Sequence, residues 1–82
     1  MSQIKVLFFA SLREQMGTGE LTLKAGNLAE LFAQIEIQLG NQALQTLKAD
    51  NIRIAVNQDL IENETTLSEG DEVAFLPPVT GG

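Results

Sequence analysis

The stretch that decides the fold is Asn27-Leu28-Ala29-Glu30-Leu31-Phe32-Ala33-Gln34-Ile35-Glu36-Ile37-Gln38-Leu39-Gly40. Its large apolar residues recur at helical spacing and would form one stripe, which consists of Leu28, Leu31, Phe32, Ile35 and Leu39. Asn27 and Glu30 predict a capping box at the start of the helix, and Gly40 is a natural stop. We therefore expect one amphipathic helix with a single face to bury.

The sequence on either side of this helix has the patterns of β-strands. Ile4–Ala10 is rich in β-branched and aromatic residues, and Glu20–Lys24 alternates with period two, so these two segments predict a hairpin. Ile52–Val56 alternates in the same way. Glu72–Leu76 is the last predicted strand, and Pro77-Pro78 ends it because proline has no N–H to donate to a sheet.

The remaining segments are predicted as short connections. Ser11–Gly19 breaks the strand pattern and is expected to be a loop, whereas Gln42–Lys48 is expected to be a short helical turn. Leu60-Ile61 is expected to be a brief edge strand. The order is then β-β-α-β-(β)-β, which predicts an α+β roll with a mixed sheet of four to five strands and one main helix on one face.

Composition excludes several kinds of chemistry. The 82 residues fit one domain, and they include no Cys, His, Trp or Tyr, which removes a thiol nucleophile, a His base, the usual zinc ligands and disulfides. Five acidic residues near the end lack the spacing of a calcium loop, and we expect them to form a solvated face: Glu62, Glu64, Glu69, Asp71 and Glu72. We expect neither a metal site nor a bound cofactor.

Charge and hydropathy restrict the partners. The net charge of −6 argues against nucleic acid, and it is compatible either with steering toward a basic partner or with solubility alone. The longest apolar run, Val6–Ala10, is too short to cross a membrane, and the first residues lack the features of a signal peptide. A cytoplasmic protein is therefore expected.

Three stretches carry a resemblance to a known family. They are Val6–Ala10 with the following Arg13-Glu14 and Gly17, then Ala55–Gln58, and above all Gly70–Gly82, which contains Pro-Pro-Val-Thr-Gly-Gly. Together they resemble the MoaD family, the sulfur-carrying small subunits of molybdopterin synthase. The resemblance implies a ubiquitin-like β-grasp domain over residues 1–76 and a flexible tail over residues 77–82.

The resemblance also implies a chemistry for Gly82. An adenylating, MoeB-like activating enzyme would consume ATP to adenylate the Gly82 carboxylate, and a sulfur donor would convert it to a thiocarboxylate. The tail would then donate sulfur to a pterin precursor (precursor Z, cyclic pyranopterin monophosphate) inside a MoaE-like large subunit. Two sulfurs per dithiolene imply a heterotetramer of two small and two large subunits. Catalytic side chains would come from the large subunit, so the chain is not an enzyme by itself.

The tail residues suit that role. Gly81 and Gly82 have no Cβ, so the backbone could pass a narrow channel. Pro77-Pro78 would stiffen the root of the tail before Val79 and Thr80. Six extended residues reach about 20 Å, far enough to place Gly82 in a pocket away from the domain. We expect the tail to be mobile in the free protein.

Strand alternation predicts where a partner would dock. Leu7, Phe9 and Leu76 should face away from the helix and leave an apolar surface that favours a partner. The alternative is that the predicted loop after the first strand covers Leu7 or Phe9. Arg13 could form a salt bridge at the rim of the interface or could be a solvated surface charge.

Three other functions remain open at this point. A protein modifier joined through Gly82 to lysines of other proteins would share the fold and the tail. A sulfur carrier for thiamine synthesis would have a similar tail, although those chains are usually shorter and lack Pro-Pro-Val-Thr before Gly-Gly. A plain interaction domain without tail chemistry is the third.

Overall fold

Five strands form one mixed sheet in a computed structural model that describes residues 2–62 and 64–78. The strands are β1 (Ser2–Phe8), β2 (Glu20–Ala25), β3 (Arg53–Val56), β4 (Asp59–Ile61) and β5 (Glu72–Leu76). The helices are α1 (Ser11–Met16), α2 (Leu28–Leu39) and α3 (Asn41–Leu47). The strand order is β2-β1-β5-β3-β4, with β1 and β5 parallel and the other neighbours antiparallel. The predicted mixed sheet, hairpin and main helix are confirmed.

The core lies between one face of the sheet and the helices. The predicted sheet residues of this face are all buried: Ile4, Val6, Phe8, Val73 and Phe75. Leu28, Leu31 and Ile35 of α2 are buried against the same cluster. The rings of Phe8 and Phe75 are stacked with their centroids 5.8 Å apart. Each such side chain contributes about 1.5–3 kcal/mol through burial, so this cluster holds the helices on the sheet.

The expected loop at Ser11–Gly19 is wrong, because its first part is the helix α1. Leu12 is buried and Met16, four residues later, packs against the core, so α1 is anchored by one short apolar edge. Gly17 ends the helix with φ 78°, and its N–H donates to the carbonyls of Arg13 and Glu14. A helix of six residues offers too few apolar positions for its periodicity to show in the sequence.

The start of α2 is capped as predicted at one position and differently at another. Asn27 Oδ1 accepts a hydrogen bond from the N–H of Glu30 at 2.8 Å. The Glu30 carboxylate, however, accepts from the N–H of Gly26 at 2.7 Å, one residue before the position that a capping box requires. Asn27 itself forms an antiparallel bridge with Thr66, which ties the helix start to the loop before β5.

A distant carboxylate completes this cap. Glu64 accepts hydrogen bonds from the N–H groups of Leu28, at 2.8 Å, and of Ala29, at 3.1 Å. It also accepts from the N–H of Thr65. A negative charge at this end of a helix is stabilising because the first-turn N–H groups point at it. The prediction that Glu64 belongs to a merely solvated face is therefore wrong.

Two more of the predicted solvated acids hold loops. Asp71 accepts from the N–H of Ser68 at 2.8 Å and from Asn57 Nδ2 at 3.0 Å. These hydrogen bonds, that from Ser68 first, lower the pKa of the Asp71 carboxyl below its ordinary value of 3.8. Glu69 accepts from the N–H of Gln3 at 2.8 Å and so joins the turn before β5 to the start of β1.

Replacing Glu64 should test the long-range cap. We expect Glu64→Ala to lower the free energy of unfolding by about 1 kcal/mol in urea denaturation, because two first-turn N–H groups lose a charged acceptor. Glu62→Ala removes the same charge from an exposed residue two positions earlier and should change stability by less than about 0.5 kcal/mol. Equal losses in the two variants would show that Glu64 does not cap α2.

The Asp71 contacts predict a pH dependence with a definite sign. A carboxyl with a lowered pKa in the folded state stabilises the fold fully above 3.8, and this contribution is lost as pH falls through the folded pKa. We expect Asp71→Asn to be less stable than the parent at about pH 6, and the difference to shrink by about pH 3. Asp50→Asn, a change of an exposed carboxylate before β3, is the control in urea titrations. A difference that stays constant with pH would contradict this assignment.

Candidate functional site

The second face of the sheet carries a row of apolar residues. The strand registers pair Leu7 of β1 with Ala74 of β5, Ala74 with Ala55 of β3, and Ala55 with Leu60 of β4. Paired residues point to the same side of a sheet, so these four side chains form one row across four strands, here called the apolar row. The buried side chains of all three helices join the core on the opposite side.

Exposure along this face is uneven. Leu60 is 63% exposed and Phe9 is 37% exposed, whereas Leu7 and Leu76 are half-buried. Ala55 and Ala74 are buried beneath their larger neighbours. Large exposed apolar side chains that lie together are typical of a surface that another molecule covers. The structure thus places Leu7 and Leu76 on the predicted side of the sheet, with Phe9 at its border.

The root of the tail lies at one end of this face. The N–H of Phe9 donates to the carbonyl of Phe75 at 3.2 Å, which extends the pairing of β1 and β5 beyond the strands. Leu76 follows, and Pro77 and Pro78 line an open groove together with Phe9, Arg53 and Leu60. The last four residues, Val79, Thr80, Gly81 and Gly82, lie outside the described residues, so their predicted roles and mobility stay predictions, as does the division at residue 76.

Arg13 lies beside this face on α1. Its side chain packs across Gly19, where an added Cβ would come within 3.0 Å of Arg13 Nε and would push the arginine side chain aside. Leu7, Phe9 and Thr18 line a small hollow with these two residues. The segment after β1 therefore borders the exposed Phe9 without burying it, and Arg13 is at the rim. Its predicted salt bridge to a partner stays a prediction.

The sequence reasoning missed three residues of this region. Arg53 pairs with Leu76 on the open face, and Leu60 is the most exposed member of the apolar row. Strand alternation could have found both. Ala10, which joins β1 to α1 and lines the groove, has φ 51° and ψ −128°, a strained backbone conformation that favours glycine. No pattern in the sequence signals this strain.

Metal and membrane sites have no support in the described residues. Across residues 2–62 and 64–78, no three acidic side chains come together in a way that could hold a metal ion. Within the same ranges, no helix has the length and apolar character needed to span a bilayer.

Similarity to known proteins covers nearly the whole chain. The model of the ThiS family matches residues 6–82. The molybdopterin synthase sulfur carrier subunit of Escherichia coli K12 is 42% identical, over 96% of this chain and 99% of that protein. The protein of the same name from Haemophilus influenzae is 38% identical, over 96% and 99%.

Solved structures agree with the fold. Small archaeal modifier protein 1 (SAMP1) of Methanosarcina acetivorans superimposes with a TM-score of 0.82 at 32% identity, covering 100% of this chain and 98% of that one. Subunits 1 and 2 of the molybdopterin-converting factor of Helicobacter pylori form a protein–protein complex, and a chain of it matches with a TM-score of 0.72 at 32% identity, over 98% and 99%. The predicted β-grasp fold is thereby confirmed, and the chain belongs to the ThiS family.

Proposed function

We propose that this chain is the sulfur carrier subunit of a molybdopterin synthase and works in molybdenum cofactor biosynthesis. The observation that carries the proposal is the 42% identity to the Escherichia coli carrier subunit over nearly the full length of both proteins. The family match extends to residue 82 and so includes the Gly-Gly pair. The absence of Cys and His from the sequence suits a chain whose reactive group is a main-chain carboxylate.

The proposed chemistry takes place at the Gly82 carboxylate. An activating enzyme attaches AMP from ATP to this carboxylate and releases pyrophosphate. A sulfur donor then displaces AMP and leaves a thiocarboxylate. Its sulfur attacks a carbon of the pterin precursor in the large subunit, so that a C–S bond replaces a C–O bond and the oxygen group leaves. Water then cleaves the acyl–sulfur bond and restores the carboxylate. The chain supplies the nucleophile, and the large subunit supplies the acids and bases.

The open sheet face is the proposed docking surface for the large subunit. The apolar row and Phe9 lie next to Leu76, from which Pro77 and Pro78 continue. Docking through this row would therefore fix the point from which the tail departs. Covering the exposed side chains of Leu60 and Phe9 would contribute about 1.5–3 kcal/mol each at most. Two small and two large subunits, in the cytoplasm, complete the proposal.

A second candidate function has a specific observation in its favour. The neighbour from Methanosarcina acetivorans is named a modifier protein, and it matches over the whole chain at 32% identity. A modifier would use the same adenylated Gly82, but the acyl group would pass to a lysine amine of another protein. The two candidates thus differ in the acceptor of the activated tail.

Mass spectrometry of the intact chain tests the sulfur-carrier role. After incubation with a MoeB-like enzyme, ATP and a sulfide source, we expect the mass to increase by the exchange of one oxygen for sulfur, located at Gly82. A variant with one alanine appended after Gly82 should fold equally well and lose the exchange, whereas an alanine added at the other terminus should leave it intact. Sulfur gain by the extended variant would contradict a reaction at Gly82.

The same material separates the two candidates. The sulfur-charged chain should convert the pterin precursor to molybdopterin when the large subunit is present. Covalent adducts to lysines in a cell extract, formed without any such conversion, would instead support the modifier role.

The docking surface can be tested with two exposed apolar residues. Leu60 is 63% exposed on the apolar row, and Ile37 is 76% exposed on α2, across the molecule. We expect Leu60→Ser to weaken binding to the large subunit about tenfold or more by calorimetry, because the most exposed apolar contact of the row is lost. Ile37→Ser should bind like the parent. Equal effects of the two changes would mean that the large subunit docks elsewhere.

A further inference from the structure

Positive charge is concentrated on the open sheet face of an otherwise acidic chain. The strand registers place three of its cations on this face, Lys5, Lys24 and Arg53, and Arg13 lies at its rim. Lys48, the fifth of the five Lys and Arg residues, lies over the ring of Phe32 on the helix side and also lines the groove that Arg53 and Leu60 line. This arrangement differs from what the net charge of −6 suggests.

The carboxylates have the opposite distribution. Of eleven Asp and Glu residues, the strands place Glu20 and Glu72 on the open face, and Glu62, one residue beyond β4, extends the register onto the same face. The others lie on helices, in turns and loops, or on the helix side of the sheet. The charge is therefore unevenly distributed, since the open face and its rim carry four cations against three carboxylates, whereas the rest of the chain carries one cation against eight.

The two carboxylates that lie within strands, Glu20 and Glu72, are both next to Lys5. Lys5 Nζ lies 3.7 Å from a carboxylate oxygen of Glu20, and Glu72 is the register partner of Lys5 on β5. Among the described residues, no carboxylate lies within 4.0 Å of the charged groups of Lys24 or Arg53. Lys24 and Arg53 are exposed, so their charged groups are accessible to another molecule.

Arg53 has the most informative position. It pairs with Leu76 on the same side of the sheet, directly beside the root of the tail and near the exposed Leu60. Glu62, one residue beyond β4, continues the register opposite Arg53, yet it too stays beyond the salt-bridge distance. A guanidinium at the border of an apolar patch is the type of group that pairs with a carboxylate across an interface.

We propose that the surface receiving the open face is rimmed by carboxylates, and that Arg53 pairs with one of them and selects the partner. This inference rests on the proposed function, since it assigns a charge pattern to the same docking site. The acidic far side of the carrier would be repelled by such a partner, so the uneven distribution of charge would orient the carrier as it approaches. The net charge alone suggested steering toward a basic partner, which is the opposite sign.

Charge reversal with a matched control tests the inference. Arg53→Glu and the double variant Gln38→Glu/Gln45→Glu both lower the net charge by two, but Gln38 and Gln45 are exposed on α2 and α3, outside the groove that Arg53 lines. We expect Arg53→Glu to slow association with the large subunit about 3- to 10-fold in stopped-flow measurements at about 0.02 M NaCl, and the loss to shrink at about 0.5 M NaCl. The double variant Gln38→Glu/Gln45→Glu should change the rate by less than about twofold.

The outcomes separate this inference from the proposed function. Suppose that the parent chain binds the large subunit, but Arg53→Glu and the double variant slow association equally or Arg53→Glu speeds it. The acidic-rim inference is then wrong and the carrier role stands. If the parent chain does not bind the large subunit at all, the carrier role is wrong as well. Far-ultraviolet circular dichroism of both variants confirms that a slower rate does not reflect unfolding.

Discussion

The parallel pairing of β1 with β5 is the contact on which the rest of the structure depends. It places the first and last strands side by side in the sheet and aligns Val6 with Val73 and Phe8 with Phe75. Because side chains alternate across a strand, this one register sends the phenyl rings to the core and Leu7 and Ala74 to the open face. A slip by one residue would exchange the two faces. The core and the open face are thus consequences of the same pairing.

Acidic side chains connect the less regular parts of the fold to this sheet. Glu64 reaches from the loop before β5 to the start of α2, and Asp71 joins the turn before β5 to Asn57 of the β3–β4 hairpin. Each carboxylate accepts hydrogen bonds from N–H groups that the β-ladder does not pair, because helix starts and turns leave such groups without backbone partners. A chain with a large excess of carboxylates therefore uses several of them as structural acceptors.

The open face combines features that the core cannot supply. An apolar row runs across four strands, cations lie around it, and the root of the tail lies beside its middle, at the end of β5. Such a surface offers a partner an apolar contact, and the cations around it favour one orientation of that partner. The small domain has no need of an enclosed cavity, because in the proposed reaction the Gly82 carboxylate reacts in another protein.

Much of the fold follows from local patterns in the sequence. The α2 stripe, the alternation in β2 and β3, and the helix stop at Gly40 depend on neighbouring residues, and the structure confirms them. The Gly-Gly chemistry and its partners came from the resemblance of Gly70–Gly82 to a family, and similarity to the sulfur carrier subunits supports it. The helix α1 escaped prediction because one and a half turns carry no clear periodicity.

Other features were decided only by the tertiary structure, because they depend on residues far apart in the chain. The carboxylate of Glu64 lies 36 residues from the N–H of Leu28, and no local pattern relates them. The apolar row and the uneven distribution of charge arise from the order β2-β1-β5-β3-β4, which aligns residues of distant strands. The sequence by itself determined the main helix, the strands and the total charge. Long-range pairing decided which residues share a face, and therefore where the cations and the apolar row lie.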